Sequence, residues 1–304
     1  MLAKEKFDVI VSCPENAACG EVAEAITAAG AYMVTEKPMS ASLSDALRMA
    51  RAAKKNGVEI IVNWPVTWSP NARKMKEIID SGLIGEVWEV KWRNGASLGP
   101  LSYSTGDQAW TDEEKGGEWW HNAAAGGGAL LDYCCYGACL SRWYIGQPAV
   151  AATAMRANFR SHYGDADDNA IITVRFPEAF GLLEATWSTW NVGVPTGPIV
   201  YGTKGILVSK NRVVNGRRSG VVEVYTSRSH GATEPDEIIE GDPLPEGRAT
   251  LGEEVIHHLE TGEPLHETLQ MERNLEVMAI LDAGIRSAAS GKVELVNDAT
   301  WCIG

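Results

Sequence analysis

Apolar residues in the first third of the chain come in short continuous runs separated by stretches of helical spacing. "FDVIVSC" (7–13), "AYMVTEK" (31–37) and "VEIIVNW" (58–64) each have strand length and few polar interruptions. Between them, "PENAACGEVAEAITAAG" (14–30) sets Val22 and Ile26 one turn apart and stops at Gly30. "SLSDALRMARAAKKNG" (42–57) opens on Ser42 or Ser44 as N-cap and stops at Gly57. "NARKMKEIIDSGLIG" (71–85) is a third helix. Alternating strand and helix with short turns predicts a parallel, doubly wound sheet.

The pattern changes near residue 86. "EVWEVKWR" (86–93) alternates as a strand with one solvated face does, and "DQAWTDEEKGGEWWHNAAAGGG" (107–128) reads as a loop. A helix, "ALLDYCCYGACLSRWYIG" (129–146), follows. From 149 to about 228, strand follows strand with turns between, which predicts an antiparallel or mixed sheet. Two helices, "GEEVIHHLETG" (252–262) and "MERNLEVMAILDAGIRSAASG" (271–291), close the chain. The expected fold is α/β plus α+β. A partial Rossmann-like parallel sheet (1–85) precedes an open, mostly antiparallel mixed β-sheet domain with flanking helices (86–304).

Bulk numbers narrow the function classes. A net charge of −13 argues against a nucleic-acid partner, whose phosphates require basic patches. No apolar run reaches the roughly 18 residues of a membrane helix, so no membrane partner is expected. "MLAKEKFDVIV" reads as a buried strand and not as a signal peptide. Six cysteines without a secretion signal predict reduced, buried thiols and a cytoplasmic protein. Cys135 and Cys139 share a helix face, but no second ligand pair lies nearby, so no metal is expected.

Ligands of open parallel sheets bind beyond the carboxyl ends of the strands. Ser12–Cys13–Pro14, Glu36–Lys37–Pro38 and Asn63–Trp64–Pro65 follow the three strands and should line one rim. Lys37, constrained by Pro38, is either a working charge on that rim or a surface lysine paired with Glu36. In "GGGALLDYCCYG" (126–137), glycines turn sharply into a helix, and Asp132 and Tyr136 stand four apart on one face. A phenol titrates near 10, and an adjacent ammonium lowers that value. A Lys–Tyr pair is therefore a candidate proton shuttle between alcohol and ketone, with aromatic packing of Tyr133, Tyr136 and Tyr144 as the alternative. Trp119 and His121 either line a sugar pocket or close a loop. Asp165, Asp167 and Asp168 read as a solvated turn, and Trp187 and Trp190 as core or interface. His257 and His258 read as helix residues, one facing inward and one outward.

"EKPMS" after a strand, "SGLIGEV", "GGGALLDYCCYG" and the "HHLETGEP…MERNLEVMAILDAGIRSAASGKVELV" ending occur together and in order. This combination resembles the Gfo/Idh/MocA oxidoreductases, in the branch that carries tyrosine where others carry histidine. The resemblance implies an NAD- or NADP-dependent oxidoreductase acting on a sugar, polyol or related cyclic alcohol. It implies Lys37, Asp132 and Tyr136 as catalytic residues, and a cis bond before Pro38. It further implies Ser12, Pro14, Asn16, Glu36 and Lys37 as cofactor contacts, and a homo-oligomer formed through the sheet of the second domain.

Departures from that family are specific. The chain has no G-x-G-x-x-G, the loop whose amides hold a dinucleotide pyrophosphate, so cofactor binding is expected to be impaired. It begins at what resembles the family's fourth strand. Cys134 replaces a glycine, Cys19 stands where histidine is frequent, and Thr67 where arginine is frequent. The alternative function is therefore a truncated, cofactor-poor homologue or pseudoenzyme that binds sugar or a partner subunit without catalysis.

Overall fold

The computed structural model describes residue 2, residues 4–95, residue 99, and residues 110–189, 197–214, 216–227 and 233–296. Trp190 lies outside them. The first sheet is built from β1 (Val9–Ser12), β2 (Tyr32–Glu36) and β3 (Ile60–Asn63), paired in parallel in the order β1-β2-β3. Both faces are apolar because both are covered: Met33, Val34, Ile60, Ile61 and Val62 are all buried. The crossovers are α1 (Cys19–Ala28), entered through a 3-10 turn at Asn16–Ala18, and α2 (Leu43–Asn56). Ser42 caps α2, its Oγ accepting the Asp45 amide at 3.2 Å, and Gly57 ends it in the left-handed region.

α3 (Pro70–Asp80) leads into the second sheet and packs against β9 (Ile206–Val214) and β10 (Arg217–Tyr225). This sheet also holds β4 (Val87–Gly95), β5 (Ala151–Ala157), β6 (Asn169–Arg175), β7 (Phe180–Thr186) and β8 (Ile199–Gly202). Short edge strands β11 (Glu237–Glu240) and β12 (Glu294–Leu295) close it, in the order β11-β10-β9-β8-β4-β7-β6-β5-β12. Pairing is antiparallel except between β4 and β7, which run parallel. The sheet is thus mixed and mostly antiparallel, as its turn-linked strands predict.

The segment expected to be a loop contains a short helix, α4 (Asp112–Gly117). Its cause is legible afterwards: Thr111 and Glu114 form a reciprocal capping box. The following helix is not uniform either. A π-helical turn at Leu130–Cys134 precedes α5 (Cys135–Ile145), which Gly146 terminates. α6 (Leu251–Thr261) and α7 (Met271–Ser290) complete the chain.

α5 and α7 pack on one face of the second sheet. Gly137 lets α5 lie directly on Leu183 and Trp92, and the Ser287 hydroxyl of α7 accepts the Ala154 amide at 3.0 Å. One apolar core runs from Ile10 and Met33 of the first sheet to Ile172 and Leu183 of the second. Trp64, after β3, is fully buried in it and donates its indole N–H to Asn274 of α7 at 2.7 Å. α6 covers the other face of the parallel sheet, with Val255 on Val34 and Ile61. Among the described residues no helix is long and apolar enough to cross a membrane.

Candidate active site

A cavity of about 320 Å³ opens beyond the carboxyl ends of β1 and β2, where the parallel sheet meets the glycine-rich turn of the second domain. Cys13, Pro14, Asn16, Glu36, Lys37 and Pro38 form its first side. Trp119, Trp120, Gly126–Gly128, Asp132 and Trp187 form the other.

Lys37 leaves β2 across a cis bond to Pro38 and points at the second domain. Its Nζ donates to Asp132 Oδ1 at 2.7 Å and to the Asp132 carbonyl at 2.9 Å. Glu36 takes a different partner, accepting from the Asn63 amide at 2.6 Å, so the alternative of a surface Glu36–Lys37 pair is not what forms. Burial works against the ammonium, but Asp132, with smaller help from Cys135 and Tyr136, holds its pKa well above the usual lysine value. Removing one partner from so enclosed a pair costs about 3–5 kcal/mol.

The second side is built by turn chemistry. Gly126 adopts φ +80°, and a Cβ there would meet Ala41 and Asn16 at 2.5 and 2.8 Å. That contact is close because Asn16 Nδ2 donates to the Gly126 carbonyl at 2.8 Å, tying α1's approach to the turn. Gly128, at φ +112°, leaves room for the Asp167 carboxylate, 2.7 Å from where its Cβ would be. Asp167 Oδ2 accepts the Leu130 amide at 2.8 Å and the Asp167 carbonyl accepts the Ala129 amide at 2.8 Å. These bonds fix the π-helical turn that carries Asp132.

Several expected residues stand elsewhere. Pro14, Asn16, Glu36, Lys37, Asp132 and Trp119 meet at the cavity, whereas Ser12, His121 and Tyr136 do not line it. His121 is buried behind Trp187, edge-on to that ring at 5.3 Å and to Tyr163 at 4.8 Å. Burial lowers its pKa to about 4, so it is a neutral packing residue. The Tyr136 ring is stacked on Trp92 at 5.9 Å and edge-on to Trp64 at 5.8 Å, with the Lys37 ammonium 4.6 Å from its centre. Lys37 therefore meets the face of the ring. The expected lowering of the phenol is overturned: burial raises its pKa, Lys37 only partly offsets this, and the net shift is upward.

Other expectations are corrected as well. Asp167 and Asp168 are buried structural carboxylates and not a solvated turn; Asp168 accepts the amides of Phe159, Arg160 and Ser161 at 2.7–2.8 Å. Thr67 is buried away from the cavity, sharing a 2.5 Å hydrogen bond with Thr268. Burial pushes the Cys135 thiol up to about 12 and Cys19 up to about 11, so neither is a ready nucleophile.

Trp187 is the residue the sequence placed least well. Core is half right, since it is buried, yet it also walls the cavity and donates its indole N–H to Asp132 Oδ2 at 3.1 Å. Only its position after a strand, level with the glycine turn, hinted at this. The adjacent Trp120 also lines the cavity, its ring 5.6 Å from Trp119.

Comparison with known proteins bears on the fold and the family. A family model described as "Oxidoreductase family, NAD-binding Rossmann fold" matches residues 1–64, and one described as "GFO/IDH/MocA C-terminal domain" matches residues 72–208. Inositol 2-dehydrogenase of Salmonella typhimurium (strain LT2) is 31% identical over 95 residues, which is 31% of this chain and only 28% of that protein's length. An aldose-aldose oxidoreductase from Caulobacter crescentus, complexed with glycerol, superimposes with TM-score 0.77 at 19% identity, covering 97% of this chain and 81% of its own. GenD2 from gentamicin A biosynthesis, in complex with NAD, does so with TM-score 0.73 at 25% identity, covering 97% and 80%. Matched by the models of both domains and sharing the fold throughout, this chain belongs to the Gfo/Idh/MocA family of oxidoreductases.

Proposed function

We propose that the cavity is the site of an NAD- or NADP-dependent oxidation or reduction of a sugar or polyol. The observation that carries this is the Lys37–Asp132 ion pair on the cavity wall, at the carboxyl rim of the parallel sheet and facing three tryptophans. The similarity to an inositol 2-dehydrogenase and an aldose-aldose oxidoreductase supports the substrate class.

Fit to the cofactor is uneven along its length. Pro14, Asn16, Glu36 and Lys37 offer a polar shelf suited to the nicotinamide and its ribose. This sequence contains no G-x-G-x-x-G for the pyrophosphate, so the residues it contributes at the cavity are those of the nicotinamide end. When bound, the cofactor supplies the hydride acceptor or donor.

The chain's own residues do the rest. Lys37 has three N–H groups, of which Asp132 accepts two; the ammonium holds the substrate oxygen and balances negative charge as it develops there. Tyr136 does not line the cavity but backs the Lys37 ammonium, 4.6 Å from its ring centre, and is the group that would exchange the hydroxyl proton where substrate reaches past Lys37. The half-buried rings of Trp119 and Trp120 pack on the apolar C–H faces of the sugar ring and exclude water.

The open face of the second sheet is the proposed contact between copies of the chain. Met155 and Ile171 are cross-strand neighbours on it, 81% and 47% exposed, with Phe159 beside them. Its charges cancel locally, Lys91 with Glu89 at 3.1 Å and Arg93 with Glu184 at 3.9 Å. A chain of net charge −13 can bring a second copy to such a face with little repulsion.

Absorbance of NADH or NADPH formed with myo-inositol, D-glucose and D-xylose tests the reading. Turnover with at least one, reduced about a hundredfold or more in Lys37→Met, is expected from loss of a charge at the reacting oxygen. Sugar binding without turnover at any pH would favour the non-catalytic alternative.

A further inference from the structure

We propose that Trp187 is a positioning residue, whose indole N–H locks the Asp132 carboxylate so that Lys37 is held against the cavity. Asp132 has two carboxylate oxygens, and among the described residues each has one directional partner. Lys37 takes Oδ1 at 2.7 Å and Trp187 takes Oδ2 at 3.1 Å. A carboxylate held by Lys37 alone could rotate about its terminal bond and draw the ammonium with it. With the second oxygen anchored by a rigid, buried donor, that rotation is blocked.

Trp187 can serve as an anchor because it is itself held on every side. It is 2% exposed. Its backbone amide donates to the Asp168 carbonyl at 2.7 Å, and the His121 ring stands edge-on to it. Gly99, at φ +58°, approaches its indole so closely that a Cβ there would lie 2.6 Å from the ring.

The geometry is set from one place. Asp167 holds the amides of Ala129 and Leu130 at the start of the turn that bears Asp132, while the next residue, Asp168, holds Trp187. One dipeptide thus fixes both donor and acceptor of the Trp187–Asp132 bond. Arg156 steadies it through Asp167 Oδ1 at 3.3 Å.

Two measurements test this, and the first is independent of catalysis. The chain has eleven tryptophans, and the indole resonance lost in Trp187→Phe identifies Trp187 in a ¹⁵N-edited NMR spectrum. In Asp132→Asn that resonance should move upfield and exchange faster with solvent while the other indole signals stay in place. An unmoved resonance would overturn the proposal whatever the enzyme's substrate.

The second rests on the oxidoreductase reading above. In Trp187→Phe, kcat should fall about ten- to a hundredfold, the worth of one hydrogen bond to a charged group. The cofactor KM should stay within about twofold, since Pro14, Asn16 and Glu36 of the shelf are untouched. A variant that changes only KM would show that Trp187 contributes binding surface and nothing more. If wild-type chain turns over no substrate, the NMR shift still decides the positioning claim.

Discussion

At the Lys37 ammonium two demands meet: burial disfavours the charge, and Asp132 more than restores it. The phenol of Tyr136 is in the opposite position, with burial outweighing the help it receives from Lys37. Both groups therefore stay protonated through neutral pH, which suits donating a proton in the reducing direction. Oxidation needs the deprotonated shuttle, so its kcat should climb with pH into the alkaline range. Reduction should be flat between about pH 6 and 8. In Lys37→Met the alkaline limb should move to higher pH, because the charge that lowered the phenol is gone. Tyr136→Phe should reduce turnover by orders of magnitude with the fold intact, measured by the same assay and by circular dichroism; unchanged rates would remove Tyr136 from the mechanism.

Among the elements, the turn around Gly126–Gly128 and the acidic run at 165–168 behave as one unit. Asp165 Oδ1 accepts the Ala123 amide at 2.8 Å, Asp167 holds Leu130, and Asp168 gathers three amides of the neighbouring loop. Burial alone would raise the Asp168 pKa, but those hydrogen bonds outweigh it and the net shift is downward. A depressed folded value means that its stabilisation is present above the unfolded value near 3.9 and is lost as pH falls through the folded one. Asp168→Ala should cost about 2–4 kcal/mol at neutral pH in urea unfolding, and Asp168→Asn should flatten the acid limb of the stability profile.

That unit also marks where sequence reasoning stops. Lys37, Asp132 and the rim position of Pro14 and Glu36 were legible because a proline, a strand end and an i,i+4 spacing each have local meaning, while Asn16 came only from the family resemblance. The role of Asp167 was not, since its partner Leu130 lies on another element and only tertiary packing brings them together. The same holds for Trp187, paired with Asp132 across 55 positions. For His121 the sequence left pocket and loop closure open; it packs edge-on against Trp187 and Tyr163 and does not line the cavity, which matches loop closure. The strands were readable from apolar runs, while β11 and β12, four and two residues long, carry too little pattern to show.

For the whole molecule, one covered and one open face of the nine-stranded sheet follow from where the helices lie. If the open face joins copies of the chain, sedimentation velocity should show a dimer or larger species. Ile171→Arg should then shift it toward monomer without loss of helical signal, as the residue is half exposed and adds no negative charge. A monomeric wild type would remove the interface.

The central claim is that the cavity beside Lys37 takes the nicotinamide end of a dinucleotide. Calorimetric titration of this chain with NADH and NADPH tests it most directly. The account predicts a single saturable site with Kd between about 10 μM and 1 mM, since no G-x-G-x-x-G of this sequence holds the pyrophosphate. Cys13→Trp, which fills the cavity from an exposed position, should abolish it. No saturable heat with millimolar cofactor, or binding untouched by Cys13→Trp, would contradict it.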